Sequence, residues 1–303
     1  MPPQSFPLVT LAIPLYHSRA FFEIILENLE TVSYPNLEIF ISDRHCADDT
    51  IDILETRYRS DARFSFFRAR DEIDWVAHYN FLLGAAHGEY FLWMPHDDSY
   101  PSDYLTVLVE ALVQAPDALV AYGAVRGVDG GGPLAESANV IPLSPARKWT
   151  TRCALDLFLR HQLWLAMRGV FRRAFLVQND LWLQPTRDNN SADLVWLYAL
   201  ACRGRFVATR ETFCFKRFYP TSTHARAQPR NLASTWTEWI ALVHLLVTTQ
   251  HGLRARLRGA ALALLWFCLR LGGQGLIILK LSDAPARALR RVLSRVVLPS
   301  QRG

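Results

Sequence analysis

Glu89-Tyr90-Phe91-Leu92-Trp93-Met94-Pro95-His96-Asp97-Asp98 is the stretch whose reading decides the fold. It begins as a short apolar strand and ends in adjacent acids. An earlier strand-like run closes in a similar way, at Ser42-Asp43. Acids at the exits of successive apolar strands mark the carboxyl edge of an open α/β sheet, where ligands bind. Asp97 and Asp98 offer hard oxygen ligands, which suit Mg²⁺ or Mn²⁺ held together with a substrate phosphate. The competing reading is an acidic turn that caps a following helix over 102–115.

Working outward, residues 8–14 form a β-rich run stopped by Pro14, and Phe21, Ile24, Ile25, Leu26 and Leu29 follow at helical spacing. Strands are then expected over 37–42, 64–68, 90–94 and 118–122, alternating with helices over 48–59, 75–87 and 102–115. Such alternation means right-handed βαβ units and a largely parallel sheet. A glycine-rich stretch from Gly127 to Pro133 opens a long surface loop expected to reach Pro145. Beyond it the pattern predicts a helix over 153–161, an extended run over 163–171, a helix over 192–203 and an extended run over 206–218.

Half of the 303 residues are hydrophobic and a fifth are charged, which excludes global disorder. Charge is unevenly spread: the first 250 residues carry net −4, and the remaining 53 carry +9. The five cysteines include no C-x-x-C pair, so a zinc site or disulfide framework is not indicated, and reduced thiols in a cytosolic protein are expected. The first seven residues lack the basic region of a signal peptide. The turn after the first strand, Pro14-Leu15-Tyr16-His17-Ser18, has none of the glycines of a dinucleotide fingerprint, and no phosphate loop of the G-x-x-x-x-G-K-[ST] kind is present. A bound phosphate must therefore rely on metal and side chains.

Leu11-Ala12-Ile13-Pro14-Leu15-Tyr16, Glu38-Ile39-Phe40-Ile41-Ser42-Asp43 running on to Asp48 and Thr50, Ala77-His78-Tyr79-Asn80, Gly88-Glu89-Tyr90-Phe91 and His96-Asp97-Asp98 occur in that order. The series resembles the family 2 glycosyltransferases over residues 8–105, with looser likenesses at Gly169-Val170-Phe171-Arg172-Arg173, at Asp193 and around Phe218-Tyr219-Pro220-Thr221-Ser222. The resemblance implies a single α/β domain of the A-type, nucleotide-sugar-binding fold over 1–225, with a mostly parallel central sheet flanked by helices. Its donor-binding half would span about 1–124 and its acceptor half about 146–225, followed by a helical, basic extension over 226–303.

That family moves a sugar from a nucleotide diphosphate to an acceptor hydroxyl with inversion. The resemblance places Pro14, Tyr16, Asp43, Asp48, Asn80, His96, Asp97 and Asp98 at the donor. Asp43 would accept hydrogen bonds from base or ribose, and Pro14 and Tyr16 would shape the nucleoside pocket. Asp97, with Asp98, would hold Mg²⁺ or Mn²⁺. Asp193 is the positional match for the general base, and Asp188 is its competitor. Two residues depart from the pattern: Pro95 stands where the first acid of D-x-D is expected, and Arg44 where a second acid follows Asp43. Asp48 also reads as a helix cap, and Trp164, Trp182 and Trp196 read as core or as an acceptor platform.

The expected partners are a nucleotide-sugar donor and a glycan or lipid-linked acceptor, with no nucleic acid, because the tail aromatics lie among aliphatics rather than among basic residues. The apolar pieces 259–269 and 271–279 are each shorter than the ~20 residues needed to cross a bilayer. With their arginine flanks they predict an in-plane anchor at the cytoplasmic face of the plasma membrane, against the alternative of a helical subdomain packed on the domain. The rival readings are a catalytically inactive nucleotide- or sugar-binding protein and a nucleotidyltransferase. The second would need a glycine-rich loop after the first strand.

Overall fold

The computed structural model describes residues 6–129, 132–133, 153–154, 157, 163–186, 189, 192–220 and 240. Among them are the strands β1 (Val9–Leu15), β2 (Leu37–Asp43), β3 (Phe64–Arg68), β4 (Tyr90–Trp93), β5 (Ala118–Asp129), β6 (Gly132–Pro133), β7 (Val170–Arg172) and β8 (Arg205–Arg217). The helices are α1 (Phe22–Thr31), α2 (Thr50–Tyr58), α3 (Trp75–Ala85), α4 (Tyr104–Val113), α5 (Arg173–Gln178) and α6 (Ala192–Ala201). The strands join one sheet in the order β3-β2-β1-β4-β7-β5-β6, and β8 also pairs with β5. Pairing is parallel for β1 with β2 and β4, β2 with β3, and β5 with β8. It is antiparallel where β7 joins β4 to β5 and where β6 turns back on β5.

All seven side chains of β1 are buried, as expected of a central parallel strand covered on both faces. Met94 donates its N–H to the carbonyl of Ala12 at 2.8 Å, so the even-numbered backbone groups of β1 face β4. The last β1–β4 pair is Ala12 with Trp93. Pro14 therefore lacks an N–H at a point where β4 has already left the ladder, which explains a proline inside a central strand. At the opposite edge Gly88 brings the chain into β4. A Cβ there would meet the Thr10 nitrogen at 2.5 Å and the Tyr90 oxygen at 2.6 Å. Its N–H donates to Thr10 Oγ1, whose hydroxyl in turn donates to Glu38.

Two expectations are corrected. Residues Leu163–Arg168 form a 3-10 turn rather than part of an extended run, and only Val170–Arg172 is strand. Gly169 permits the change of direction, since a Cβ there would lie 2.5 Å from the Ala121 oxygen. β5 continues to Asp129, so the first residues of the expected loop are strand. Gly132–Pro133 of that loop form β6, while its remaining residues, most of the helix expected over 153–161 and residues 221–303 apart from 240 lie outside the described residues. Among the described residues no helix is long and apolar enough to cross a membrane.

The chain divides into two compact units. One comprises Met1–Arg147, Leu165–Gln184 and Arg205–Ala225, and it holds every strand of the sheet. The other comprises Lys148–Trp164, Pro185–Gly204 and Arg226–Gly303, and it holds α6.

Candidate active site

Parallel strands β1, β2 and β4 end at the same edge, and each delivers a polar loop there. Leu15 lies opposite Asp43 in the β1–β2 register, so Tyr16 and Asp43 leave adjacent strands side by side. His96, just past β4, donates its Nδ1–H to the carbonyl oxygen of Pro14 at 3.2 Å, tying the third loop to the first. A carbonyl only accepts, so this bond requires a proton on Nδ1.

Asp43 is 7% exposed. Its Oδ2 accepts the backbone N–H groups of His45 (3.0 Å) and Cys46 (2.8 Å), which closes the turn after β2. The Cys46 thiol is also hydrogen-bonded to this carboxylate. Asp48 has a different arrangement: Oδ2 accepts from the Ser18 N–H at 2.8 Å and Oδ1 from the Thr50 N–H at 3.1 Å. It thereby fastens the first loop to the start of α2. Burial raises its carboxyl pKa, but the bonds from Thr50, Ser18 and Arg19 outweigh that and hold it below the usual value. The Arg44 guanidinium lies over the Tyr16 ring, its Cζ 3.6 Å from the centroid. Its Nε is buried without a hydrogen-bond partner among the described residues, and its Nη2 reaches Glu72 only at 3.5 Å.

Asp97 and Asp98 are adjacent in sequence but differ in surroundings. Asp98 is fully buried. Its Oδ2 accepts from Arg168 Nε at 2.7 Å, its Oδ1 from the Arg217 N–H at 3.1 Å, and its carbonyl from Asn28 Nδ2 at 2.9 Å. Ser99 and Phe215 then exchange two backbone bonds, so the acidic turn is bolted to the end of β8. Asp97 is half-buried. Its Oδ2 accepts from the Tyr219 hydroxyl at 3.0 Å, and Oδ1 takes no hydrogen bond among the described residues. Phe21 packs between the rings of His96 (5.3 Å) and Tyr219 (4.9 Å) beside it.

Asn80 lies deeper: its Nδ2 donates to the Leu183 carbonyl at 2.8 Å and its Oδ1 accepts from the Leu183 N–H at 2.9 Å, so its amide clamps a distant segment to α3. Asp193 opens α6, and its Oδ1 accepts from the Leu194 N–H at 2.8 Å. Asp188 lies outside the described residues. Trp196 is buried, in keeping with a core role, whereas Trp182 is half-buried and its Nε1–H donates to Asp180 Oδ1. Arg168 and Tyr219 belong to this edge although sequence reasoning assigned them no role. Tyr219 falls in a stretch that resembles the family, whereas Arg168 lies just before one, and neither pairing leaves a local pattern.

Beneath Asp43, the imidazole of His78 is 1% exposed and hydrogen-bonded through Nε2 to Ser42 Oγ at 2.7 Å. Burial, and then the Arg44 charge, push its pKa down from 6.5 to about 4. The unfolded chain therefore takes up this proton first as pH falls. Stability should decline from about pH 6.5 toward pH 4 by up to ~1.4 kcal/mol per pH unit from this group. Urea denaturation of wild type and His78→Gln across that range checks it: the variant should show a shallower slope, and equal slopes would refute the assignment.

The family model described as glycosyl transferase family 2 matches residues 10–175, more than half of the chain. Among curated proteins, TuaG of Bacillus subtilis, named as a teichuronic acid biosynthesis glycosyltransferase, is 27% identical over 128 residues, 42% of this chain and 51% of TuaG. The GalNAc(5)-diNAcBac-PP-undecaprenol β-1,3-glucosyltransferase of Campylobacter jejuni is 23% identical over 105 residues, 34% of each chain. The matches thus span about half of TuaG and about a third of the Campylobacter protein. Among solved structures, S. aureus TarS in complex with UDP-GlcNAc superposes with a TM-score of 0.64 at 16% identity, covering 92% of this chain and 78% of that one. A mannosyltransferase from Pyrobaculum calidifontis, in complex with GDP-Man and Mn²⁺, gives 0.54 at 16% identity, covering 98% and 82%. These likenesses establish the fold.

Proposed function

The chain belongs to glycosyl transferase family 2, and from that premise we propose an inverting transfer of a sugar from a nucleoside-diphosphate donor to a hydroxyl of a lipid-linked or polysaccharide acceptor. The observation that carries this reading is the convergence of Tyr16, Asp43 and Asp97 at the ends of three adjacent parallel strands. In this reading the Tyr16–Arg44 stack is a wall for the nucleoside, and the Asp43 carboxylate accepts from the base or ribose. Asp48 and Asn80 shape the pocket through backbone bonds rather than by touching the donor.

A divalent ion fits this edge through one carboxylate. Asp97 keeps Oδ1 for it, the Pro95 side chain has no ligating atom, and Asp98 is held by Arg168 and Arg217. Among the described residues no group of three His, Cys, Asp or Glu could hold a metal by itself. Mg²⁺ and Mn²⁺ often bind with one or two carboxylates completed by substrate phosphates and water, so Asp97 suffices as the protein anchor. The ion would supply charge neutralisation on the departing diphosphate.

Asp193 is our candidate for the base that takes the acceptor proton as the new glycosidic bond forms. Asp193→Asn should lower transfer by about 10²–10⁴-fold while leaving donor affinity within about twofold. NMR of the product should show the anomeric configuration inverted relative to the donor. Unchanged transfer would move the role to another acid, with Asp188 next. The lipid-linked acceptor is supported by the undecaprenol-linked substrate in the name of the Campylobacter relative. The positive excess over residues 251–303 supports peripheral binding at an anionic membrane surface. Pro95 favours one second reading, a non-catalytic donor-binding protein, which would bind the donor and yield neither transfer nor hydrolysis.

A further inference from the structure

Pro95 and the Asp98–Arg168 pair leave the donor edge short of acids, and β8 adds a cation to it. Lys216 lies between Phe215, whose backbone pairs with Ser99, and Arg217, whose N–H binds Asp98. It is half-buried, and its Nζ sits 5.4 Å from the centroid of the Phe218 ring. Among the described residues it makes no hydrogen bond or ion pair. Burial and the Arg168 charge push its pKa down, against Asp98 and Asp97, which act the other way. Asp98 is already neutralised by Arg168 at 2.7 Å. Asp97 is then the one remaining carboxylate among those acting on Lys216, and it is shared with the proposed metal position.

A desolvated ammonium without a partner gains most from an anion that arrives with the ligand. We propose that Lys216 binds the diphosphate of the donor, sharing its neutralisation with the ion at Asp97. This rests on the nucleotide-donor reading above. During transfer the bond from the anomeric carbon to the β-phosphate oxygen breaks with its electron pair going to that oxygen. The acceptor oxygen bonds to the anomeric carbon, and its proton passes to the general base. Lys216 stabilises the nucleoside diphosphate that leaves, and it is present whether or not an ion is bound. Donor binding should accordingly tolerate the removal of metal.

The test is calorimetry of UDP, GDP, dTDP and CDP, and of the matching nucleosides, against wild type, Lys216→Met and Lys216→Arg, in excess EDTA and in Mg²⁺. Wild type should bind one diphosphate in EDTA within about tenfold of its affinity in Mg²⁺. Lys216→Met should lose at least about tenfold in EDTA, and Lys216→Arg should stay within about threefold of wild type. Binding of the bare nucleoside should not change in either variant, which separates phosphate contact from general damage to the fold. Equal diphosphate affinity for wild type and Lys216→Met in EDTA, or wild-type binding only with Mg²⁺, overturns the role of Lys216 and leaves the donor reading standing. Absence of diphosphate binding in every condition overturns both.

Discussion

Arg168→Leu is expected to lower the free energy of unfolding by about 3–5 kcal/mol, the loss typical when one partner of a buried ion pair is removed. Asp98 is 0% exposed and the Arg168 side chain 11%, so the abandoned carboxylate has no water to turn to. Its other oxygen is held by a single backbone N–H, from Arg217. The loss should also reach beyond the pair. The turn that carries Asp98 is bonded to Asn28 on α1 and to Phe215 on β8, and the Arg168 carbonyl receives the Tyr104 hydroxyl from α4. Urea unfolding of Arg168→Leu, Asp98→Asn and the double variant measures the coupling. The double variant should be less destabilised than the sum of the singles, because neither charge is left alone. Strict additivity would show that the two groups act independently.

The second large effect is on chemistry. Asp97→Ala should reduce transfer by about 10²–10³-fold, since charge stabilisation by a bound ion is worth several kcal/mol and each 1.4 kcal/mol is about tenfold. The fold should hardly notice, because Asp97 is only half-buried and its one hydrogen bond among the described residues is to the Tyr219 hydroxyl. Tyr219→Phe keeps the ring against Phe21 and removes that bond. It should cost about tenfold or less, the value of one hydrogen bond to a charged group. Steady-state kinetics of both variants at saturating Mn²⁺ check the ranking. A full-rate Asp97→Ala enzyme would remove the acid from the mechanism.

The first half of the fold was legible because its strands are short apolar runs with punctuated ends: β1 stops just past Pro14, β2 ends at Asp43, and β4 starts after Gly88. The site edge followed from the same pattern. What sequence could not give were contacts between distant residues. Asp98 and Asp97 look equivalent on the page of letters, yet Arg168, 70 residues on, claims one, and Tyr219, 122 residues on, binds the other. Asn80 fits a donor-binding motif, but its partner is the Leu183 backbone, 103 residues away. β7 escaped detection as a separate strand because three residues carry no periodicity, and the apolar run before it reads equally well as strand or turn. Among the described residues both carboxylate oxygens of Asp48 and of Asp98 are engaged by other parts of the chain, whereas Asp97 binds through Oδ2 alone, a difference that the letters do not show.

The measurement closest to the central claim is thermal unfolding of the wild-type protein with UDP-, GDP-, dTDP- and CDP-sugars at ~1 mM, with and without Mn²⁺. One nucleotide class should raise the melting temperature by several degrees, with a larger rise when Mn²⁺ is present and a smaller Mn²⁺ increment in Asp97→Ala. No rise with any donor, in the presence or absence of metal, would contradict a nucleotide site at the ends of β1, β2 and β4.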